Sequence, residues 1–118
     1  MAELFGVKIT DDGAGEFGTF TVEEILYVDL WAPKRNYQVP RFHTVDATYT
    51  VLLTLDACRR AFPDLLQLDS GNLVNTRQIQ FVTETAFALT AHFRGGKTAN
   101  VARNKRAAVE HLIKRDRK

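Results

Sequence analysis

The sequence predicts a predominantly β domain with about nine or ten short strands, one internal helix and one C-terminal helix. Three observations carry that assignment. Apolar residues fall in short runs, many with a two-residue period, and glycine, proline, asparagine or aspartate turns separate them. Only two segments combine helical spacing with helix start or stop signals. The composition, 45% hydrophobic and 25% charged over 118 residues, is that of one ordinary globular domain with a single sizeable core.

Taken in order, Leu4 to Thr10 alternates as a short strand and closes at the turn Asp11-Asp12-Gly13-Ala14-Gly15. Thr19-Phe20-Thr21 makes another short strand. Glu23 to Trp31 then runs from a polar start into an apolar strand, and Ala32-Pro33-Lys34-Arg35-Asn36 follows as a basic hairpin loop. Tyr37 to Thr44 and Ala47 to Leu52 form a hairpin turning near Val45-Asp46, with Pro40 placing the first of them at a sheet edge or a bulge. The internal helix is Leu55 to Phe62, with Thr54 as N-cap, Asp56 in the first turn and Pro63 as the stop. Leu55, Cys58 and Phe62 share one apolar face. Three apolar runs follow, Leu73-Val74-Asn75, Ile79 to Val82 and Ala86 to Phe93. Arg94-Gly95-Gly96-Lys97 then turns into Thr98 to Val101. Asn104 to Lys114 is the C-terminal helix, with Ala108, Val109, Leu112 and Ile113 as its core stripe. Trp31 and the eight Phe residues, lying on apolar runs, are expected in the core.

A net charge of +2 hides a strong asymmetry. The first thirty residues hold seven acids against Lys8, whereas residues 94–118 hold nine Lys or Arg against Glu110 and Asp116. Such one-sided clustering suits a polyanion, which responds to the local field of a patch and not to the overall charge. No run of about 18 apolar residues is available to span a membrane. Met1 to Thr10 lacks the basic and apolar regions of a secretory leader. Cys58 is the single cysteine, so an internal disulfide is excluded and a reducing, cytoplasmic setting is expected. His43, His92 and His111 show no metal-ligand spacing, so neither a metal nor another cofactor is expected. Gly95-Gly96 lacks the Lys-Ser/Thr of a phosphate loop, and no Ser-His-Asp set can be assembled; the expectation is a protein without catalytic activity.

The pieces also have an order. Glu23-Glu24-Ile25-Leu26-Tyr27-Val28 precedes a β-hairpin and the helix ending in Phe62; Leu73-Val74-Asn75 with Ile79 four residues later comes next, and Val101-Ala102-Arg103-Asn104 opens the last helix. Together they resemble the LytTR DNA-binding domain of bacterial transcription regulators, over roughly Thr19 to Lys114. The resemblance implies an elongated stack of small antiparallel sheets whose loops, with the start of the last helix, reach successive major grooves. It implies double-stranded DNA as partner, at promoter direct repeats, with two copies pairing on the duplex and bending it. Residues 1–118 are expected to be a single such domain. There is no room before Thr19 for the receiver that usually accompanies it, so a stand-alone regulator or an excised fragment is expected, and Met1 favours the first.

The resemblance also assigns contact residues. Arg103 matches the basic residue that reaches DNA from the start of the last helix; a guanidinium can pair bidentately with guanine O6 and N7 or with a phosphate. Ser70 matches the polar contact residue of the second recognition loop, and Asn72 closes the same turn. Here the sequence departs from the family, which usually carries a basic or polar pair where this chain has Asp69-Ser70. Phosphate repels a carboxylate, although Asp can accept from cytosine N4. The first recognition loop matches Lys34, Arg35, Asn36 and Tyr37: two phosphate-seeking cations, and an Asn able to pair with adenine N6 and N7. Arg77, Lys97, Lys105 and Arg106 are candidate phosphate clamps, while Asn75 is expected to bridge backbone groups. Two other readings stay open. One is a protein-interaction module on the same fold that has lost DNA recognition, suggested by Asp69 and the acidic first thirty residues. The other is a small-molecule binder or enzyme of all-β class.

Overall fold

The structure is a computed structural model that describes residues 3–10, 13–34, 37–51 and 53–114. Seven strands form the larger sheet: β1 (Glu3–Thr10), β2 (Gly13–Thr21), β3 (Tyr27–Lys34), β4 (Tyr37–His43), β5 (Thr48–Thr50), β6 (Leu66–Asp69) and β7 (Asn72–Val74), in spatial order β2-β1-β5-β4-β3-β7-β6. Three more, β8 (Phe81–Glu84), β9 (Leu89–His92) and β10 (Thr98–Val101), form a second sheet in the order β10-β9-β8. Every pairing is antiparallel. Helix α1 (Leu55–Ala61) links β5 to β6, and α2 (Arg106–Val109) lies near the C-terminus. The fold is therefore mostly β, within an outline of 47 × 34 × 28 Å. Among the described residues no helix is long and apolar enough to cross a membrane.

The middle of the larger sheet is buried on both faces. Along β3, Tyr27 joins one apolar cluster with Leu68, Val74, Val82, Leu89, Phe93 and Val109, while its neighbour Val28 joins a second with Phe20, Phe42, Cys58, Phe62 and Leu73. Adjacent strand residues point to opposite faces, so Leu73 and Val74 on β7 divide in the same way. The second sheet and α2 cover one face and α1 covers the other. Double coverage explains why Ile25-Leu26-Tyr27-Val28 is apolar without interruption. Burial also pushes the Cys58 thiol up to about 11, which keeps it a neutral core group.

Local signals place α1 well. The Thr54 side chain accepts from the Ala57 N–H, and Phe62 is the C-cap before Pro63. Gly95 and Gly96 adopt φ of 82° and 77°, a conformation glycine takes without strain. Pro40 is buried in β4, between β3 and β5 and not at an outer edge of the sheet. It is tolerated because β5 pairs only with Arg41, Phe42 and His43, so the strand is locally an edge where the proline sits.

Elsewhere tertiary contacts override the local pattern. Leu66–Asp69 is a strand that the sequence reading leaves unassigned, and β2 extends back to Gly13. The expected helix from Asn104 to Lys114 is broken instead into a 3-10 turn at Arg103–Lys105, the single turn of α2, and a second 3-10 turn at Glu110–Leu112. The cause lies at its end: Ile113 bridges Val82 and the Lys114 N–H donates to the Val82 carbonyl, so the free edge of β8 draws the chain into an extended form. Val109 is buried there, but Ala108 is exposed. Phe20, Phe42, Phe62 and Phe93 enter the core, whereas Phe5, Phe17 and Phe87 are exposed and Trp31 is half-buried.

The β1–β2 hairpin is joined to the rest through a glycine pair. Gly6 and Gly18 face each other in register, and the Tyr49 ring seats over them while stacking on Phe20 at 4.6 Å. A Cβ on Gly18 would lie 2.8 Å from Tyr49 Cε2. Gly18→Val should therefore lower stability by about 1–3 kcal/mol, read as a fall in the urea midpoint with an unchanged m-value.

Candidate nucleic-acid interface

The register of β3 gathers loops at one end of the larger sheet. Antiparallel pairing sets Tyr27 opposite Val74 and Asp29 opposite Asn72, so β3 continues past the start of β7 in the direction of the β6–β7 turn. That turn lies against β3, with Leu30 3.9 Å from where a Cβ on Gly71 would stand. From Leu30 the β3–β4 hairpin runs up to about 13 Å further to Lys34, at roughly 3.3 Å per residue. Lys34 pairs with Tyr37 across the hairpin; Arg35 and Asn36 lie outside the described residues.

The third segment is tied to the second. The Asn72 side chain accepts from the Leu68 N–H (3.2 Å) and donates to the Asn100 carbonyl on β10 (2.8 Å), and the Ala102 N–H donates to the Leu68 carbonyl (2.6 Å). These bonds bring Gln67, Asp69 and Ser70 beside Ala102, Asn104 and Lys105 as the walls of one open cleft. Ser70 is exposed, its N–H bonded to the Asp69 carboxylate (2.9 Å) and its carbonyl accepting from Gln67 (3.3 Å). Lys105 is exposed at the opposite wall. A second cleft, lined by Asp29, Leu30, Asp69, Gly71, Thr98 and Asn100, continues the surface toward the β3–β4 hairpin.

Several candidates are engaged inside the molecule. Asn72 is 5% exposed, and its amide oxygen and nitrogen each hold a backbone group, so it braces the fold from within. Lys97 points inward, its Nζ 2.7 Å from the Thr44 carbonyl and 3.3 Å from Thr48 Oγ1; desolvation lowers its pKa. It clamps the β4–β5 turn and not a phosphate. Arg106 grips both oxygens of Glu84 (2.8 and 3.1 Å) and reaches Glu110 at 3.1 Å. These carboxylates raise its pKa and neutralise its charge locally. Arg77 is exposed, but at the far end of β7 from Ser70, where it shares a depression with Glu23 and Asp64. Asn75 bridges backbone groups, accepting from the Arg77 N–H and donating to the Ile25 carbonyl.

Arg103 sits at the start of the final helical segment, half-exposed, with Nη2 2.7 Å from the Thr85 carbonyl and Nη1 3.3 Å from Glu84 Oε2. No local sequence pattern signals this docking: Glu84 is 19 residues from Arg103 and 22 from Arg106. Asn104, which lies outside the contact set expected from the sequence, lines the cleft with Lys105; its place in the polar run Arg103-Asn104-Lys105 is the available signal.

Beneath the cleft lies a polar network set by cross-strand register. Arg41 donates from Nε and Nη2 to the two oxygens of Asp29 (3.0 and 2.9 Å), while His43 Nε2 lies 2.8 Å from Asp29 Oδ1. Tyr27 stacks on His43 at 4.3 Å. Burial, with help from the Asp29 charge, pushes the Tyr27 hydroxyl up to about 12. Among the described residues no set of three or more His, Cys, Asp or Glu is placed to hold a metal ion.

Ten strands in two antiparallel sheets, with loops at one end and a basic helix start beside them, define a mostly β domain. No family model and no curated protein matches the sequence. A solved LytTr DNA-binding domain from Bacillus cereus matches in structure with a TM-score of 0.66 and 14% identity, over 92% of this chain and 96% of that one. The chain has the LytTr fold, which in that protein is a DNA-binding domain.

For Asp29, burial raises the pKa, but the hydrogen bonds from His43 and Arg41 outweigh it and hold the carboxyl below its ordinary value. A carboxyl depressed in the folded state contributes stability that is complete above its unfolded pKa of about 4 and is lost as pH falls through the folded value. Asp29→Asn should thus cost about 1–2 kcal/mol at pH 7, discounted for partial exposure, and should flatten the pH dependence of the urea midpoint below pH about 4.

Proposed function

We propose that this chain is a sequence-specific, DNA-binding transcriptional regulator that applies the β3–β4 hairpin, the β6–β7 turn and the Arg103–Lys105 segment to major grooves. The observation that carries this reading is the cleft that sets Ser70 beside Asn104 and Lys105, next to Arg103, on a fold shared with a DNA-binding domain. Arg103 is the principal base reader: Thr85 and Glu84 hold two of its five N–H donors, and the others turn to guanine or a phosphate. Asn36 reads adenine, and Ser70 contributes a hydroxyl. Lys34, Arg35 and Lys105 hold phosphates, with Tyr37 at the hairpin base. Asp69, on the same wall as Ser70, disfavours phosphate and suits cytosine N4. Two copies bind direct repeats in a promoter, inside the cytoplasm, as a single domain with no catalytic step.

A second reading has its own observation. Phe5 and Phe17 are 63% and 72% exposed and lean on each other at 5.3 Å, on a hairpin whose exposed acids Glu3 and Glu16 would repel DNA. That surface suits a protein partner. A light-scattering mass that stays monomeric from low to high salt counts against self-association through it.

Binding to a fragment of its own upstream promoter tests the main reading. Arg103→Ala should lose about 1–3 kcal/mol of affinity and its base preference. Lys105→Ala should weaken all sequences alike and reduce the salt slope by about one, from about −4.5 for five neutralised phosphates. Binding that neither salt nor Arg103→Ala changes would overturn it.

A further inference from the structure

The β8–β9 turn carries a side chain that no packing accounts for. Phe87 is 95% exposed, and Ala86 and Ala88 beside it are exposed as well. The turn has a defined shape, because Thr85 Oγ1 accepts from the N–H groups of Phe87 (3.2 Å) and Ala88 (3.0 Å), and the Thr85 N–H donates to the Ala88 carbonyl (2.9 Å). Arg103 fastens the same turn from outside through the Thr85 carbonyl, two residues from Phe87. The aromatic ring is thus displayed on a bonded turn, not left on a loose loop that could fold it back.

Charge selects what this turn can meet. Residues 85–88 carry no charge, and the cation nearest in the bonding pattern is Arg103. The other exposed aromatic pair, Phe5 and Phe17, has exposed acids Glu3 and Glu16 as neighbours. Among the described residues, the β8–β9 turn sets an exposed aromatic side chain beside a guanidinium, and the neighbouring acid, Glu84, is paired with Arg103 and Arg106, which lessens its repulsion of a polyanion. In the major groove the apolar feature presented by a base is the thymine 5-methyl group. We propose that Phe87, flanked by Ala86 and Ala88, contacts a thymine 5-methyl group in the major groove, next to the base or phosphate engaged by Arg103. This rests on the DNA-binding reading and assigns it a specificity-determining residue.

The test removes the methyl group alone. Wild-type protein first selects its preferred duplex from a pool of random-sequence DNA, and each thymine of that duplex is then replaced in turn by deoxyuridine, which pairs identically. Wild type should lose about fourfold in affinity at one thymine, the worth of one buried methyl group. Phe87→Ala should bind the thymine and deoxyuridine duplexes equally at that position while keeping the wild-type urea midpoint, since the ring supports no packing. Equal binding by wild type at every position, or discrimination retained by Phe87→Ala, overturns the proposal. The DNA-binding reading survives either result if Arg103→Ala still abolishes preference for the selected duplex. If no sequence is enriched, both fall together.

Discussion

The register between β3 and β7 is the constraint on which the remaining structure depends. Tyr27 opposite Val74 and Val28 opposite Leu73 supply both apolar clusters at once, one from each face. The next pair, Asp29 opposite Asn72, leaves the core and stands at the mouth of the cleft. A slip of one residue would exchange the faces and place Asp29 and Asn72 where apolar side chains belong. The same alignment that fills the core therefore delivers the β6–β7 turn and the β3–β4 hairpin to one end of the molecule.

Polar side chains then lock segments that are distant in sequence. Asn72 joins β6 to β10, Asn75 joins the end of β7 to Ile25, Gln78 reaches the Glu23 carbonyl, and Lys97 closes the β4–β5 turn. Among the described residues no buried side-chain nitrogen or oxygen lacks a partner, so these braces carry little unpaired desolvation cost. They also redistribute charge. Lys97 and Arg106 count toward the basic C-terminal stretch, yet one is turned inward and the other is neutralised by carboxylates. The field that these two offer to a polyanion is weaker than the count of cations suggests.

At 14% identity the fold is retained over nearly the whole chain, because what a fold demands is alternation, volume and turn chemistry more than particular residues. Recognition has no such latitude. It resides in a few side chains on loops, and in this chain the second loop carries Asp69-Ser70. On the DNA-binding reading proposed above, base preference follows from those residues and not from the fold.

What the sequence determined by itself was local. Two-residue alternation marked most strands, Thr54 and Pro63 bounded α1, and Gly95-Gly96 specified a turn, since each depends on residues only a few positions apart. It also carried the order of motifs that resembles a LytTR domain and the position of Arg103 within it. The tertiary structure decided which of the legible charges remain available, because Thr44, Thr85 and Glu84, which hold Lys97, Arg103 and Arg106, lie between 18 and 53 residues away from them. It decided that the last helix shortens to a single α-turn, since the edge of β8 competes for its end. It also placed Phe87 outside, for an apolar residue in a run states its hydrophobicity but not whether the fold has a surface to cover it.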